Sequence, residues 1–149
     1  MAQFIVTLDY WSAAIALPTM AKDLDTPVVT LQWAITVYII AFCMMASICG
    51  KLGDRYGRKR LLMIGIGGFG VASVAVGLSG SFTTIIAARV VQGAFGGMIL
   101  PLSMAVVSAA TPHDRLAGRL GVLTGIAAPG AAAGPVVGGL LTQTWGWQW

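Results

Sequence analysis

The chain has 149 residues, of which 57% are hydrophobic and only 9% are charged, and its mean hydropathy is +0.84. A soluble domain usually carries about 25% charged residues, so this composition excludes a soluble globular fold. The net charge of +4 does not indicate nucleic acid, because the basic residues lie in short segments between apolar blocks and form no basic face.

The first apolar block, at about residues 2–20, predicts a membrane helix with one acidic residue, Asp9. Roughly 20 consecutive apolar residues, rising 1.5 Å each, cross a hydrocarbon layer of about 30 Å. A signal peptide is not indicated, because no basic segment precedes the block and Asp9 interrupts it. Since Met1 falls directly in apolar sequence, we expect that some residues precede it.

Four further apolar blocks predict membrane helices at about 30–50, 61–79, 82–108 and 119–141. The breaks between them contain turn-forming residues such as Pro27, Gly80 and Pro112. Cys43 and Cys49 lie six positions apart inside the second block, and we expect neither a disulfide nor a metal site from them. The sequence therefore predicts an all-α integral membrane protein with five transmembrane helices.

Basic residues mark one side of the predicted bundle. They are Lys51, Arg55, Arg58, Lys59 and Arg60 after the second helix, and Arg115 and Arg119 before the fifth. The positive-inside rule places these segments, and hence the N-terminus, in the cytoplasm. The last residues then lie outside, where Trp145, Trp147 and Trp149 suit the outer interface.

The run Gly65-Ile66-Gly67-Gly68-Phe69-Gly70 matches the glycine spacing of a dinucleotide-binding loop. Such a loop needs a preceding strand and an acidic residue about 20 positions later for the ribose. Residues 61–110 contain no Asp or Glu. We therefore interpret these glycines as packing residues of the third helix.

The segment after the second helix reads Gly50-Lys51-Leu52-Gly53-Asp54-Arg55-Tyr56-Gly57-Arg58-Lys59-Arg60 and resembles the cytoplasmic signature of the major facilitator superfamily. Gly53 and Gly57 permit a sharp turn, and Asp54 can face a helix N-terminus or a basic partner. A basic loop alone would not explain the spaced glycines or Asp54. The resemblance implies an inner-gate motif made of Gly50, Asp54, Arg55, Gly57 and Arg58.

The fourth helix contains Ile85, Arg89, Gln92 and Gly93 in an order similar to a second motif of the superfamily. Arg89 lies roughly 10 Å below the outer surface at 1.5 Å per residue. An unpaired arginine at that depth costs about 2.5–3.5 kcal/mol on insertion scales. We therefore expect Arg89 to face the interior of the bundle, although a snorkelling arginine is the alternative.

The fifth helix carries a glycine–proline pattern similar to the motif of the drug:proton antiporter branches. Its residues are Gly130, Gly134, Pro135, Gly138 and Gly139. Such a helix is bent and packs closely, so it can seal the outer half against a neighbour. Tight helix packing without any transport role explains the same glycines.

The first helix reads Leu8-Asp9-Tyr10-Trp11-Ser12-Ala13-Ala14-Ile15-Ala16-Leu17-Pro18, which resembles a motif of the fourteen-helix drug:proton antiporters of the EmrB/QacA type. Trp11, Ser12 and Ala14 depart from that pattern. The chain is thereby identified as resembling an incomplete N-terminal six-helix half of a major facilitator fold. Residues 1–149 would be a partial N-terminal transmembrane domain.

The resemblance implies a secondary active transporter, not an enzyme, that exports hydrophobic or cationic compounds in exchange for protons. It implies the proton as coupling ion and no other cofactor, and the cell membrane as location. The expected partners are a small substrate, the lipid bilayer and the missing C-terminal half of the transporter, with no nucleic acid. The substrate site of such folds lies near the midplane between two halves, so we expect the 149-residue chain alone to be inactive.

Asp9 is the candidate proton-coupling group, because no other acidic residue lies within the five predicted spans. Desolvation favours the protonated form of a carboxyl group that deep in the membrane. Arg89 would act in the opposite direction, and the estimated depths of the two residues differ by about 8 Å, which an arginine side chain can largely span. A structural Asp9, kept charged by water or by Arg89, is the alternative.

Further residues are candidates for lining the substrate cavity, namely Tyr10, Trp11, Tyr38, Gln92, Met98 and Thr124. Two other functions stay open. The first is a proton-coupled uptake symporter of the same superfamily, against which the fifth-helix motif counts. The second is a small membrane protein that serves as a packing or assembly subunit.

Overall fold

Six α-helices form the part of the chain that the computed structural model describes, which is residues 2–23 and 25–144. They are α1 (Ala2–Asp23), α2 (Val28–Tyr56), α3 (Arg58–Gly77), α4 (Phe82–Ala109), α5 (His113–Gly125) and α6 (Ala127–Thr144). Five helical stretches in the described residues are long and apolar enough to cross a membrane, the fifth being α5 and α6 together. The predicted all-α membrane architecture with five spans is confirmed.

A single non-helical residue, Gly57, separates α2 from α3. Its φ of +94° lies in a region that glycine adopts without strain. The apolar pattern predicts a loop over residues 51–60, and the spaced glycines predict a turn at both Gly53 and Gly57. In the structure Gly53 lies inside α2, because Lys, Arg and Asp continue a helix beyond its apolar part.

The fifth span is broken at Ile126, whereas the apolar pattern predicts one continuous helix over 119–141. Pro129 explains the position of the break, because proline has no N–H to donate to the carbonyl four residues earlier, that of Gly125. At the first turn of α6 the missing donor costs little. The span also begins earlier than predicted, at His113.

α4 is the central helix and packs against both α2 and α3. Two of its glycines, Gly93 and Gly97, lie directly against α2, so that a Cβ on either would collide with the backbone carbonyl of Tyr38 or Phe42. Toward the α2–α3 turn, the three helices enclose an apolar cluster made of Cys49, Leu61, Met98 and Leu102, which we call the Cys49 cluster. Close helix approach at glycine is the expected packing mode inside a membrane.

α1 packs along α6 and joins the other helices through the apolar residues near its C-terminal end. That cluster comprises Ala16, Leu17, Met20, Leu31, Ala34 and Ile85, from α1, α2 and α4. The helix pair α1–α6 and the helices α2, α3 and α4 therefore meet along α1. The three tryptophans predicted at the outer interface, Trp145, Trp147 and Trp149, lie outside the described residues.

Candidate functional site

Asp9 of α1 and Arg89 of α4 form an ion pair inside the apolar part of the bundle. Arg89 Nη1 donates to Asp9 Oδ2 at 3.0 Å, and the two side chains are only 9% and 19% exposed for Arg89 and Asp9. Two opposite charges compensate each other where neither would be tolerated alone. The structure therefore brings together the two residues that the sequence analysis paired, and Arg89 faces the bundle interior.

Gln92, one turn after Arg89 on α4, extends this pair into a network. Its amide nitrogen donates to Asp9 Oδ1 at 3.0 Å and to Ser73 Oγ of α3 at 2.8 Å. Its amide oxygen accepts from Arg89 Nη1 at 3.1 Å. We call Asp9, Ser73, Arg89 and Gln92 the Asp9 network. It connects α1, α3 and α4 by polar contacts in a region where a bilayer offers none.

Aromatic rings border the Asp9 network on the side of α2. The Tyr38 ring lies with its centroid 5.9 Å from Arg89 Cζ, which is within cation–π distance. Tyr10 packs against Tyr38 at 6.3 Å between ring centroids and against Trp11 at 5.7 Å. Tyr38 also stacks on Phe42 at 6.2 Å. The charged pair thus lies beside a continuous row of four aromatic side chains.

The chemistry that this site offers is proton and cation binding by a single carboxylate. Protonation of Asp9 would remove the negative charge that compensates Arg89, and a positively charged ligand would compete with Arg89 for the same oxygens. Within residues 2–23 and 25–144, no group of three or more His, Cys, Asp or Glu side chains could hold a metal ion.

At the α2–α3 turn (residues 50–60), Asp54 pairs with Arg58 across the break at Gly57. Arg58 Nη2 lies 2.9 Å from Asp54 Oδ1, and Arg58 Nε donates to the same oxygen at 3.1 Å. Arg58 Nη1 also donates to the carbonyl oxygen of Ala105 near the end of α4, at 3.4 Å. Arg55 lies over the Tyr56 ring at 5.6 Å, and a Cβ on Gly50 would meet no other atom within 4 Å.

The glycine–proline motif of the fifth span lies along α1. A Cβ on Gly130 would come within 2.7 Å of the Phe4 carbonyl oxygen, and one on Gly138 within 2.7 Å of Ser12 Cα. Between them, a Cβ on Gly134 would meet Trp11 Cβ at 2.6 Å. Pro135 lies inside α6, and a Cβ on Gly139 would meet nothing within 4 Å.

The six residues predicted to line a cavity do not form one group. Tyr10, Tyr38 and Gln92 adjoin the Asp9–Arg89 pair. Met98 is buried between α4 and α3 in the Cys49 cluster, and Trp11 is 43% exposed. Thr124 is exposed on α5, where its hydroxyl donates to the Leu120 carbonyl of its own helix.

Two serines that the sequence analysis did not select join functional elements. Ser73 accepts from Gln92, and Ser12 Oγ donates to the Gly134 carbonyl oxygen at 3.1 Å, which ties α1 to α6. Ser73 stands among apolar residues in the third span. That isolated polar side chain was the signal available in the sequence.

Comparison with known proteins gives one family and many relatives. A family model described as Major Facilitator Superfamily matches residues 1–149. The chain is 38% identical over 144 residues to the tetracenomycin C resistance and export protein of Streptomyces glaucescens, covering 97% of this chain and 27% of that protein. It is 36% identical over 149 residues to the puromycin resistance protein pur8 of Streptomyces alboniger, covering 99% and 30%. Multidrug resistance protein Stp of Mycobacterium tuberculosis (strain CDC 1551 / Oshkosh) is 34% identical over 146 residues, covering 97% and 27%.

Proposed function

Because the chain belongs to the major facilitator superfamily, we propose that it supplies the first five spans of a transporter that exports small hydrophobic or cationic compounds in exchange for protons. The relatives above are named for drug resistance or export, which supports the direction of transport. The chain spans less than a third of the length of those relatives. The remaining spans of the transporter would form the opposite wall of the substrate site.

The buried Asp9–Arg89 pair is the observation that carries this proposal. An exchanger needs one group that binds either a proton or the substrate, and whose occupation changes how helices are held together. In its ionised form Asp9 joins α1 to α4 through the ion pair with Arg89 and the hydrogen bond from Gln92. Protonation of Asp9, or binding of a cationic substrate to it, would therefore weaken the contact between α1 and α4.

Two further elements take gating roles in the proposal. Asp54 and Arg58 hold the α2–α3 turn against the end of α4, which suits an inner gate on the cytoplasmic side. The contact of α6 glycines with α1 suits a seal between the first and fifth spans, because backbones that touch leave no space for water or ions. Both contacts are supported by position and geometry.

The aromatic row beside Asp9 supports hydrophobic and cationic compounds as the substrate class. Tyr10, Trp11 and Tyr38 offer flat apolar surfaces next to one carboxylate, and cations bind favourably over aromatic faces. Thr124, exposed on α5, would contribute from the fifth span. In this proposal Met98 has a packing role, since it is buried in the Cys49 cluster.

The test is Asp9→Asn in the complete transporter that contains this chain, reconstituted in vesicles with an imposed pH gradient. We expect gradient-driven export to fall about tenfold or more, because an amide cannot take up the coupling proton at this position. Binding of an uncharged hydrophobic substrate should be retained, since such a substrate does not need the carboxylate. Asp23→Asn is the matched control, since Asp23 lies on the same helix but is exposed.

Three results would contradict the proposal in different ways. Export by Asp9→Asn with an unchanged response to the gradient would remove Asp9 from the mechanism. Substrate accumulation in the direction of proton flow would indicate an uptake symporter. An absence of transport by the wild-type transporter for every hydrophobic and cationic compound tested would favour a packing or assembly role.

A further inference from the structure

Gln92 is the most completely enclosed polar side chain of the site. Its side chain has no exposed surface, and it contacts residues of three helices through hydrogen bonds of 2.8–3.1 Å. The amide nitrogen donates one hydrogen to Asp9 of α1 and the other to Ser73 of α3. The amide oxygen accepts a hydrogen bond from Arg89 of the same helix. A buried amide with all these bonds in place has one orientation that satisfies it.

The two hydrogen bonds that Asp9 accepts are charge-assisted, so protonation of Asp9 weakens both of them. Oδ1 faces an N–H of Gln92 and Oδ2 faces an N–H of Arg89. A proton on the remaining lone pair of either oxygen turns the carboxyl group into a donor, and the amide oxygen of Gln92 is an acceptor that it can bind. If the Gln92 amide turned so that its oxygen accepted the new proton, its nitrogen would turn away from Ser73 and its oxygen away from Arg89.

We propose that Gln92 is a positioning residue that orients the Asp9 carboxylate and transmits the loss of its charge to α3 through Ser73. The inference deepens the proposed function, because it takes Asp9 as the group that binds the coupling proton. In the ionised state Gln92 holds α1 and α3 to α4. When Asp9 is protonated, reorientation of the amide releases Ser73, and α1 and α3 become free to move relative to each other.

The ionisable groups around Asp9 are few. Arg89 approaches it from α4, and Tyr38 of α2 lies against Arg89. Tyr10 lies next to Asp9 on α1 itself and packs on Tyr38. α3 contributes the hydroxyl of Ser73, and residues 127–144 of α6 include no titratable side chain. A change at Gln92 therefore acts on Asp9 directly and not through another acidic group.

The experiment measures export as a function of pH in the complete transporter that carries Gln92→Leu, Ser73→Ala or Ser79→Ala. Ser79 is the matched control, because it follows the end of α3 and its hydroxyl donates only to a carbonyl of that helix, at Ala75. Gln92→Leu removes a hydrogen bond to the ionised carboxylate, so we expect the midpoint of the pH profile to move to higher pH by about one unit. Ser73→Ala should move it in the same direction by less, and Ser79→Ala should leave it in place.

A second measurement tests transmission to α3. Spin labels at Ile5 of α1 and Val74 of α3, both exposed on the helix surfaces, report the distance between the two helices. Acidification should change this distance in the wild-type transporter and in Ser79→Ala, and the change should fall by at least about half in Ser73→Ala, because the hydrogen bond from Gln92 has no acceptor there. Gln92→Asn, whose shorter side chain keeps the amide, replaces Gln92→Leu if the latter does not fold.

The outcomes separate this inference from the proposed function. If Asp9→Asn abolishes the pH response but the Gln92 and Ser73 variants keep the wild-type profile, the positioning role is wrong and the proton site stands. If Asp9→Asn keeps the pH response, the proposed function fails and the inference fails with it. Equal effects of Ser73→Ala and Ser79→Ala would also overturn the inference, since they would reflect general loosening of α3.

Discussion

At the scale of single residues, Asp54 is connected to three helices through one partner. It lies in the last turn of α2, and it pairs with Arg58, the first residue of α3, which in turn bonds to α4 at Ala105. Lys51, one turn earlier on α2, is exposed. Asp54 therefore takes part in contacts that join helices, whereas Lys51 is an exposed residue of the same charged segment.

We expect Asp54→Asn to lower export more than Lys51→Gln in the complete transporter. The effect on stability should be small, less than about 1 kcal/mol in the free energy of unfolding, because the Asp54–Arg58 pair is exposed. The effect on export should be larger, since the carboxylate sets the position of Arg58 against α4. Initial export rates and thermal unfolding of the two variants provide the measurement. Equal tolerance of both changes would reduce the segment to a determinant of topology.

The partnership of Asp9 with Arg89 was predictable from sequence, whereas that of Gln92 with Ser73 was not. A charge inside an apolar span must find a partner, and each of these two had one obvious candidate. A serine in a membrane helix can be satisfied by a carbonyl of its own helix, as Ser47 of α2 is by Cys43. Whether Ser73 instead meets Gln92 depends on how α3 is rotated against α4, which composition does not specify.

At the scale of helices, the closest contact is that of α4 with α2. Gly93 and Gly97 touch backbone atoms of Tyr38 and Phe42, and backbone cannot move away without moving the whole helix. Gly67 of α3 is different, because a Cβ there would meet nothing within 4 Å. Gly93 and Gly97 are therefore required for helix packing, whereas Gly67 is not.

Gly97→Ala should destabilise the bundle by about 1–3 kcal/mol, because the added methyl group forces α4 away from α2. Gly67→Ala should be neutral or stabilise by up to about 1 kcal/mol, since alanine is the better helix former. Unfolding of the 149-residue chain in detergent micelles, followed by circular dichroism under increasing denaturant, measures both. A loss of stability in Gly67→Ala as large as in Gly97→Ala would mean that backbone contact does not explain the glycine at 97.

The existence of the helices could be read from apolar blocks, but their ends could not. α2 continues through Lys51, Asp54 and Arg55 to Tyr56, because the apolar pattern reports the thickness of the membrane and not the length of the helix. At 1.5 Å per residue its 29 residues extend over about 43 Å, beyond the hydrocarbon layer. The break at Ile126 was missed because the pattern around Pro129 stays apolar on both sides.

At the scale of the whole molecule, most of the positive charge lies at one end of the bundle. The basic residues of the α2–α3 turn and of the start of α5 lie at the same end, and the connections α1–α2 and α3–α4 lie at the other. Positive charge is retained in the cytoplasm during insertion. The distribution therefore favours an orientation with the α2–α3 turn inside.

Accessibility of single cysteines tests this orientation in intact cells, in a background in which Cys43 and Cys49 are replaced. We expect Thr26→Cys and Gly80→Cys to react with an impermeant thiol reagent from outside, and Tyr56→Cys and His113→Cys to react only after permeabilisation. Tyr56 and His113 are exposed, so protection cannot be attributed to burial. The reverse pattern would overturn the orientation.

The short connection at Gly57 limits which insertions and deletions the gene can tolerate. Each residue of a helix advances the direction of its side chains by about 100°. A codon inserted or deleted within α3, between Gly57 and Phe69, would therefore turn the rest of that helix and direct Phe69 and Ser73 away from α4. Because only one non-helical residue precedes α3, no long loop is present to absorb the change. The number of residues between Gly57 and Ser73 is therefore fixed by the packing of α3 on α4.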